Sequence, residues 1–117
     1  MESIQKVIEH QRVEAEQASY KYLISSLLHQ GFHLSISDGE EYVIRKSNDR
    51  DSIMDVSFST DEQFIVVYRN GIDFGNIEVI YGNGPVSLIS DHSVSLDDYL
   101  KDFNTYTDKL MDLGWST

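Results

Sequence analysis

Asp38, Glu40 and Glu41 in "SDGEEY", with Asp61 and Glu62 in "TDEQF", put five carboxylates into two short polar stretches that hold no Lys or Arg. Paired carboxylates can exchange protons with a substrate. Spacing alone, however, defines neither such a pair nor a Ser-His-Asp set, because the fold brings these groups together. The chemistry these residues support directly is electrostatic: carboxylates gathered on one surface attract Lys and Arg on another. A second set, Asp97, Asp98, Asp102, Asp108 and Asp112, recurs through "SLDDYLKDFNTYTDKLMDLGW". Read as one helix, it puts Asp97, Asp108 and Asp112 near one row of the outer face and Asp98 and Asp102 near another, partly offset by Lys101 and Lys109.

Other candidate sites carry less. The four histidines, His10, His29, His33 and His92, fall in different elements. His29 and His33 are four apart, but Gly31 ends the helix between them, and a helix-terminal His29 is explained by the dipole. "SNDRDS" at 47–52 looks like the start of a calcium loop, yet it lacks the glycine at loop position six and the closing glutamate. No metal site and no cofactor are expected. "RNGIDFGNIEVIYGNGP" holds four of the seven glycines and the only proline. A phosphate loop needs its glycines to open a helix and a lysine to follow. Here a strand follows, so these glycines read as turns. Ile72 and Phe74, in "NGIDFG", are the one possible apolar anchor in that stretch.

The elements that must position these residues come from a chain of 117 residues, the size of one domain spanning 1–117. Forty per cent apolar residues argue for a packed core. The absence of cysteine removes disulfides, thiolate catalysis and Cys-ligated zinc. With no long apolar run and an acidic, interrupted start, a cytoplasmic location is expected. Twenty Asp and Glu against nine Lys and Arg give a charge of −11. That charge disfavours direct contact with nucleic acid or anionic membrane and favours basic partners.

Periodicity predicts helix over residues 2–30, with Tyr20, Leu23, Ile24, Leu27 and Leu28 buried, and Gly31 with Phe32 closing a Schellman ending. Ile4, Ile8, Gln11, Ala15, Ala18 and Tyr22 form a thinner heptad-like seam. A helix of this length either breaks or projects beyond the body. Strands are expected at "FHLSIS" and "EYVIR", joined by a G1-bulged turn at Gly39 that pairs Leu34 with Tyr42. Further strands are expected at "IMDVSFS", "QFIVVYR" (central, because it is apolar throughout), "NIEVIYG" and "PVSLIS". The closing helix is expected to start at an N-cap Ser95 with Asp98 at N3 and a Val94–Tyr99 staple. It would bury Leu96, Tyr99, Leu100, Phe103, Leu110 and Met111 and end at Gly114 and Trp115.

The expected fold is α+β, an antiparallel meander of five to six strands with both helices on one face. In a meander alternate turns share an end, so Asp38, Glu40, Glu41, Asp61 and Glu62 are expected on one rim. Arg45, Lys46, Arg50 and Arg69 mix with Asp49, Asp51 and Asp73 at the other. The expected function is non-enzymatic: an acidic inhibitor or immunity-type protein that blocks a basic surface of a nucleic-acid-handling partner. In character it is similar to small acidic products of phages and mobile elements, anti-CRISPR inhibitors included. The alternatives are a chaperone-like or structural homodimer formed through the N-terminal helix or an open sheet edge, and a small-molecule binder with a convergent polar pocket.

Overall fold

The structure, a computed structural model, describes residues 4–116, with side chains from residue 10 onward. Helix α1 runs unbroken from Ile4 to His29. It ends as a Schellman motif: the Gly31 N–H donates to Leu28 O at 3.0 Å and the Phe32 N–H to Leu27 O at 3.3 Å, with Gly31 at φ +95. Twenty-six residues make about 39 Å of helix, which is why the molecule is 51 Å long although its radius of gyration is only 14.5 Å. The helix therefore projects rather than breaks. Its second half buries Ser19, Tyr20, Leu23, Ile24 and Leu27, whereas residues 10–14 are all exposed. Of the heptad-like seam, Gln11, Ala18 and Tyr22 are exposed and Ala15 is half-buried; the side chains of Ile4 and Ile8 lie outside the described residues.

Five strands, β1 (His33–Ser37), β2 (Tyr42–Ser47), β3 (Glu62–Arg69), β4 (Ile72–Ile80) and β5 (Ile89–His92), form one antiparallel sheet in the order β2-β1-β3-β4-β5. The all-apolar strand is central, as expected. The order is not a simple meander, because β1 lies between β2 and β3. The chain crosses from one to the other through α2 (Arg50–Val56), where a strand holding Met54, Val56 and Phe58 was expected. The helix wins because Asp49 caps it: the Asp49 carboxylate accepts from the Asp51 N–H at 3.3 Å and from Ser52 Oγ at 2.6 Å. "SNDRDS" is thus a helix start.

The first hairpin also differs from expectation. Ser37, not Leu34, faces Tyr42, and residues 38–41 make the loop, closed by the Asp38 N–H donating to Glu41 O at 3.1 Å. Gly39 does take the left-handed conformation, at φ +100. Shifting the turn places Tyr42 on the open sheet face and leaves Leu34 and Ile36 in the core with Ile65, Val67, Ile77 and Val79.

The C-terminal helix is two pieces. A 3₁₀ segment (Val94–Tyr99) follows Ser93, and α3 spans Lys101–Asp112. Ser95 is not a cap: its hydroxyl donates to Phe74 O at 2.7 Å, so the segment is fastened across β4. Val94, the expected staple, is 82% exposed. Leu96, Leu100 and Phe103 are buried, but Met111, expected in the same stripe, is 46% exposed. Gly114 and Trp115 end α3 as expected, with the Trp115 N–H on Leu110 O at 3.0 Å.

Candidate functional site

β1 pairs antiparallel with β3, Ser37 opposite Phe64, so the turn that leaves β1 lies beside the residues that enter β3. Asp38, Glu40, Glu41, Asp61 and Glu62 are therefore brought to one end of the sheet. The reason is strand adjacency and not the alternation of turns in a meander. The Tyr81 N–H donates to Asp61 O at 2.9 Å and closes β4 onto the same end. Glu40, Glu41, Asp61 and Glu62 are exposed. Among the described residues the ion pairs are His10–Glu14, Arg50–Asp51, His92–Asp97 and Lys101–Asp98, and none touches this rim. Asp38 is the organiser: its Oδ1 accepts the backbone N–H groups of Glu40 and Glu41, both at 2.9 Å. Those bonds, Glu41's first, hold its carboxyl below the usual carboxylate range.

The second acidic set is dispersed. Because the helix is interrupted at Leu100, Asp97 and Asp98 do not continue the rows of Asp102, Asp108 and Asp112. Asp97 takes His92 Nε2 at 2.7 Å and Asp98 takes Lys101 at 3.3 Å, while Asp102 faces a groove beside Tyr22 and His29 of α1. The bases expected at the opposite rim are largely engaged by rings. Arg45 lies 4.8 Å over Tyr42 and Lys46 5.0 Å over Tyr68. Arg69 sits among Phe32, Phe74 and Tyr99 at 4.7, 5.5 and 5.0 Å, and donates to the Tyr99 hydroxyl at 3.1 Å. Of the two residues of the apolar anchor, Ile72 is 71% exposed beside the Asn70-Gly71 turn, and Phe74 is half-buried, packed against Phe32 and Tyr99.

The glycine-rich loop is an anion cradle that the protein fills itself. Gly82 and Gly84, at φ +99 and +95, turn their N–H groups onto the carboxylate of Glu16, which is 5% exposed. Gly82 N–H lies 2.9 Å from both oxygens and Gly84 N–H 2.8 Å from Oε2. Ser19 Oγ donates to Pro85 O at 2.9 Å one turn along. The loop's glycines are therefore structural, as the turn reading holds, and they lock α1 to the sheet. Glu16 was not among the sequence candidates; it lies 66 residues from Gly82, and nothing local marks it.

A buried polar cluster gathers Tyr20, Ser57, Gln63 and Tyr81 beneath the sheet end. Gln63 accepts from the Tyr81 hydroxyl at 2.6 Å and the Phe58 N–H at 3.1 Å, and donates to Val56 O and Ser59 Oγ. Ser57 Oγ reaches the Tyr20 hydroxyl at 2.8 Å. Burial pushes the Tyr81 hydroxyl far above the usual tyrosine range and raises Tyr20 as well. Among the described residues no buried side-chain polar atom lacks a partner, so the cluster is a satisfied packing network. No group of three or more His, Asp or Glu side chains among the described residues is arranged to hold a metal. No helix there is long and apolar enough to cross a membrane.

Compared with known proteins, the chain matches no family model, no curated protein and no solved structure. The surface with a defined charge geometry is the acidic end of the sheet.

Proposed function

We propose that the chain is a non-enzymatic binding protein whose acidic end occupies a basic surface of a nucleic-acid-handling protein, as an inhibitor or immunity-type partner does. The anti-defence proteins of phages and mobile elements work in this class of ways. The observation that carries the reading is the gathering of five carboxylates at one sheet end, none of them in an ion pair among the described residues. Such a rim competes for Lys and Arg that otherwise grip phosphate, and it steers encounter over roughly a Debye length of about 8 Å. Twenty carboxylates offset by nine bases are too dilute for imitation of a full duplex, so the mode is local blockade.

The test is capture from an extract of the native host, eluted in salt steps, with wild type beside a variant carrying Glu40→Lys, Glu41→Lys, Asp61→Lys and Glu62→Lys. The expected result is a nucleic-acid-handling protein released as salt rises and absent from the variant. A captured set that is the same for both proteins, and indifferent to salt, overturns the reading.

One observation favours a second reading, a homodimer through α1. Residues 10–14 form exposed helix beyond the body, and short helices without tertiary support are marginal in water. Light scattering decides it: a monomer at all concentrations with α1 fully helical counts against the dimer.

A further inference from the structure

Between the edge strand β5 and α3 runs an open groove of about 380 Å³. Its floor is apolar, with Leu100 and Phe103 from the helix side and Val86 and Ile89 from the strand side. Asp91 and His92 form one lip and Asn104 the other, and among the described residues no Lys or Arg lines it. The backbone edge beside the groove is guarded. β5 is four residues long, its pairing with β4 slips between Glu78 and Val79, and the His92 N–H is taken by Asp91 Oδ1 at 2.9 Å. Short, bulged, charged edges resist a further strand. What the groove offers is room for side chains.

We propose that this groove receives an apolar side chain carried on an Arg- or Lys-flanked segment of a basic partner protein. The proposal rests on the reading above that the partner is basic, and supplies what a charged rim lacks. Rim charges set approach and register, whereas affinity comes from a few apolar anchors in desolvated pockets. Charge complementarity selects the occupant. Asp91 stands at the mouth, Asp97 holds His92 beside it at 2.7 Å, and Asp108 lies one turn from Asn104. An acidic segment is repelled there, and so is a second copy of a chain at −11.

The experiment titrates the ¹⁵N-labelled full chain with three capped peptides, Arg-Leu-Arg-Arg-Leu-Arg, Arg-Ser-Arg-Arg-Ser-Arg and Glu-Leu-Glu-Glu-Leu-Glu. The Arg-Leu peptide is expected to shift the Ile89, Asn104 and Thr107 amides and to bind about tenfold tighter than the Arg-Ser peptide, the scale of one modest anchor. Asn104→Arg, on an exposed helix position, is expected to abolish the groove shifts and leave those at Glu40 and Glu62. Ser90→Arg, on the opposite lip, repeats the test where the first variant disturbs α3. Groove amides that stay still, that respond equally to the Arg-Ser or Glu-Leu peptide, or that still respond in both variants overturn the anchor. Failure of the rim reading is separate: it appears as an unchanged salt dependence when the rim carboxylates are replaced by lysine.

Discussion

Glu16→Ala is expected to be among the most destabilising changes at a charged residue of the chain. The carboxylate serves two backbone donors, Gly82 N–H at 2.9 Å and Gly84 N–H at 2.8 Å. An orphaned buried donor costs about 1–3 kcal/mol. Gly84 is buried and Gly82 exposed, so water recovers part of the second bond, and the sum falls near ~2–4 kcal/mol. Alanine is the better helix former, but that offsets only about 0.5 kcal/mol. At roughly 4 °C per kcal/mol for a domain of this size, the midpoint falls by about 8–16 °C. Glu16→Gln keeps one acceptor oxygen and should lose about half as much. Thermal unfolding by circular dichroism measures the loss, and hydrogen exchange at Gly82 and Gly84 locates it. Acetate should raise the midpoint of the alanine variant more than that of wild type, since it can enter the vacated cradle and bind the folded state. A midpoint within 1–2 °C of wild type, well inside the scatter of neutral surface changes, with both amides still protected, refutes the lock.

Three further outcomes follow from the same geometry. Gly75→Ala places a Cβ 2.8 Å from Ser95 Oγ and 3.1 Å from Leu96 Cγ, so it should cost about 1–3 kcal/mol in urea unfolding and loosen the 3₁₀ segment first. Tyr20 and Tyr81 are held protonated by burial, so the unfolded chain releases their protons near pH ~10 while the folded chain keeps them. Stability is fully present below that pH and should fall as pH rises beyond it, less steeply in Tyr81→Phe. Asp38 works in the opposite sense: its folded carboxyl titrates low, so its contribution is present above the ordinary aspartate pKa and is lost as pH falls through the folded value. Carbonyl-detected NMR should show the Asp38 carboxyl titrating below the ordinary aspartate range in the folded chain and returning to that range in urea.

What could be read from the sequence was mostly local. Both Schellman endings depend on a glycine and the apolar residue after it, within one turn of chain, and both formed as expected. β3 was placed at the centre because an all-apolar strand must be covered. The stretch 50–58 misled because Met54, Val56 and Phe58 alternate like a strand, while the deciding interaction is one aspartate cap in a stretch that looks like the start of a calcium loop. The last helix was drawn too long for the opposite reason. Its capping signals at Ser95 were plausible locally, but a bond to Phe74 O, 21 residues away, claims that hydroxyl. The acidic end survived the wrong topology by a different route: alternate turns of a meander share an end, whereas here β1 and β3 are direct neighbours and bring the same residues together. The Glu16 cradle was illegible: its partners are 66 and 68 residues away, and an isolated glutamate on a helix carries no mark of its role.

That distance also orders events during synthesis. Glu16 leaves the ribosome long before Gly82 and Gly84 do, and an ionised carboxylate cannot enter a protein interior without its donors. Until β4 and the loop after it are made, α1 stays hydrated at the level of Glu16 and only its later turns can collapse onto β1. The nascent chain thus withholds its final closure until Gly82 and Gly84 have emerged, and a ribosome stalled before Gly82 should display a protease-sensitive first helix.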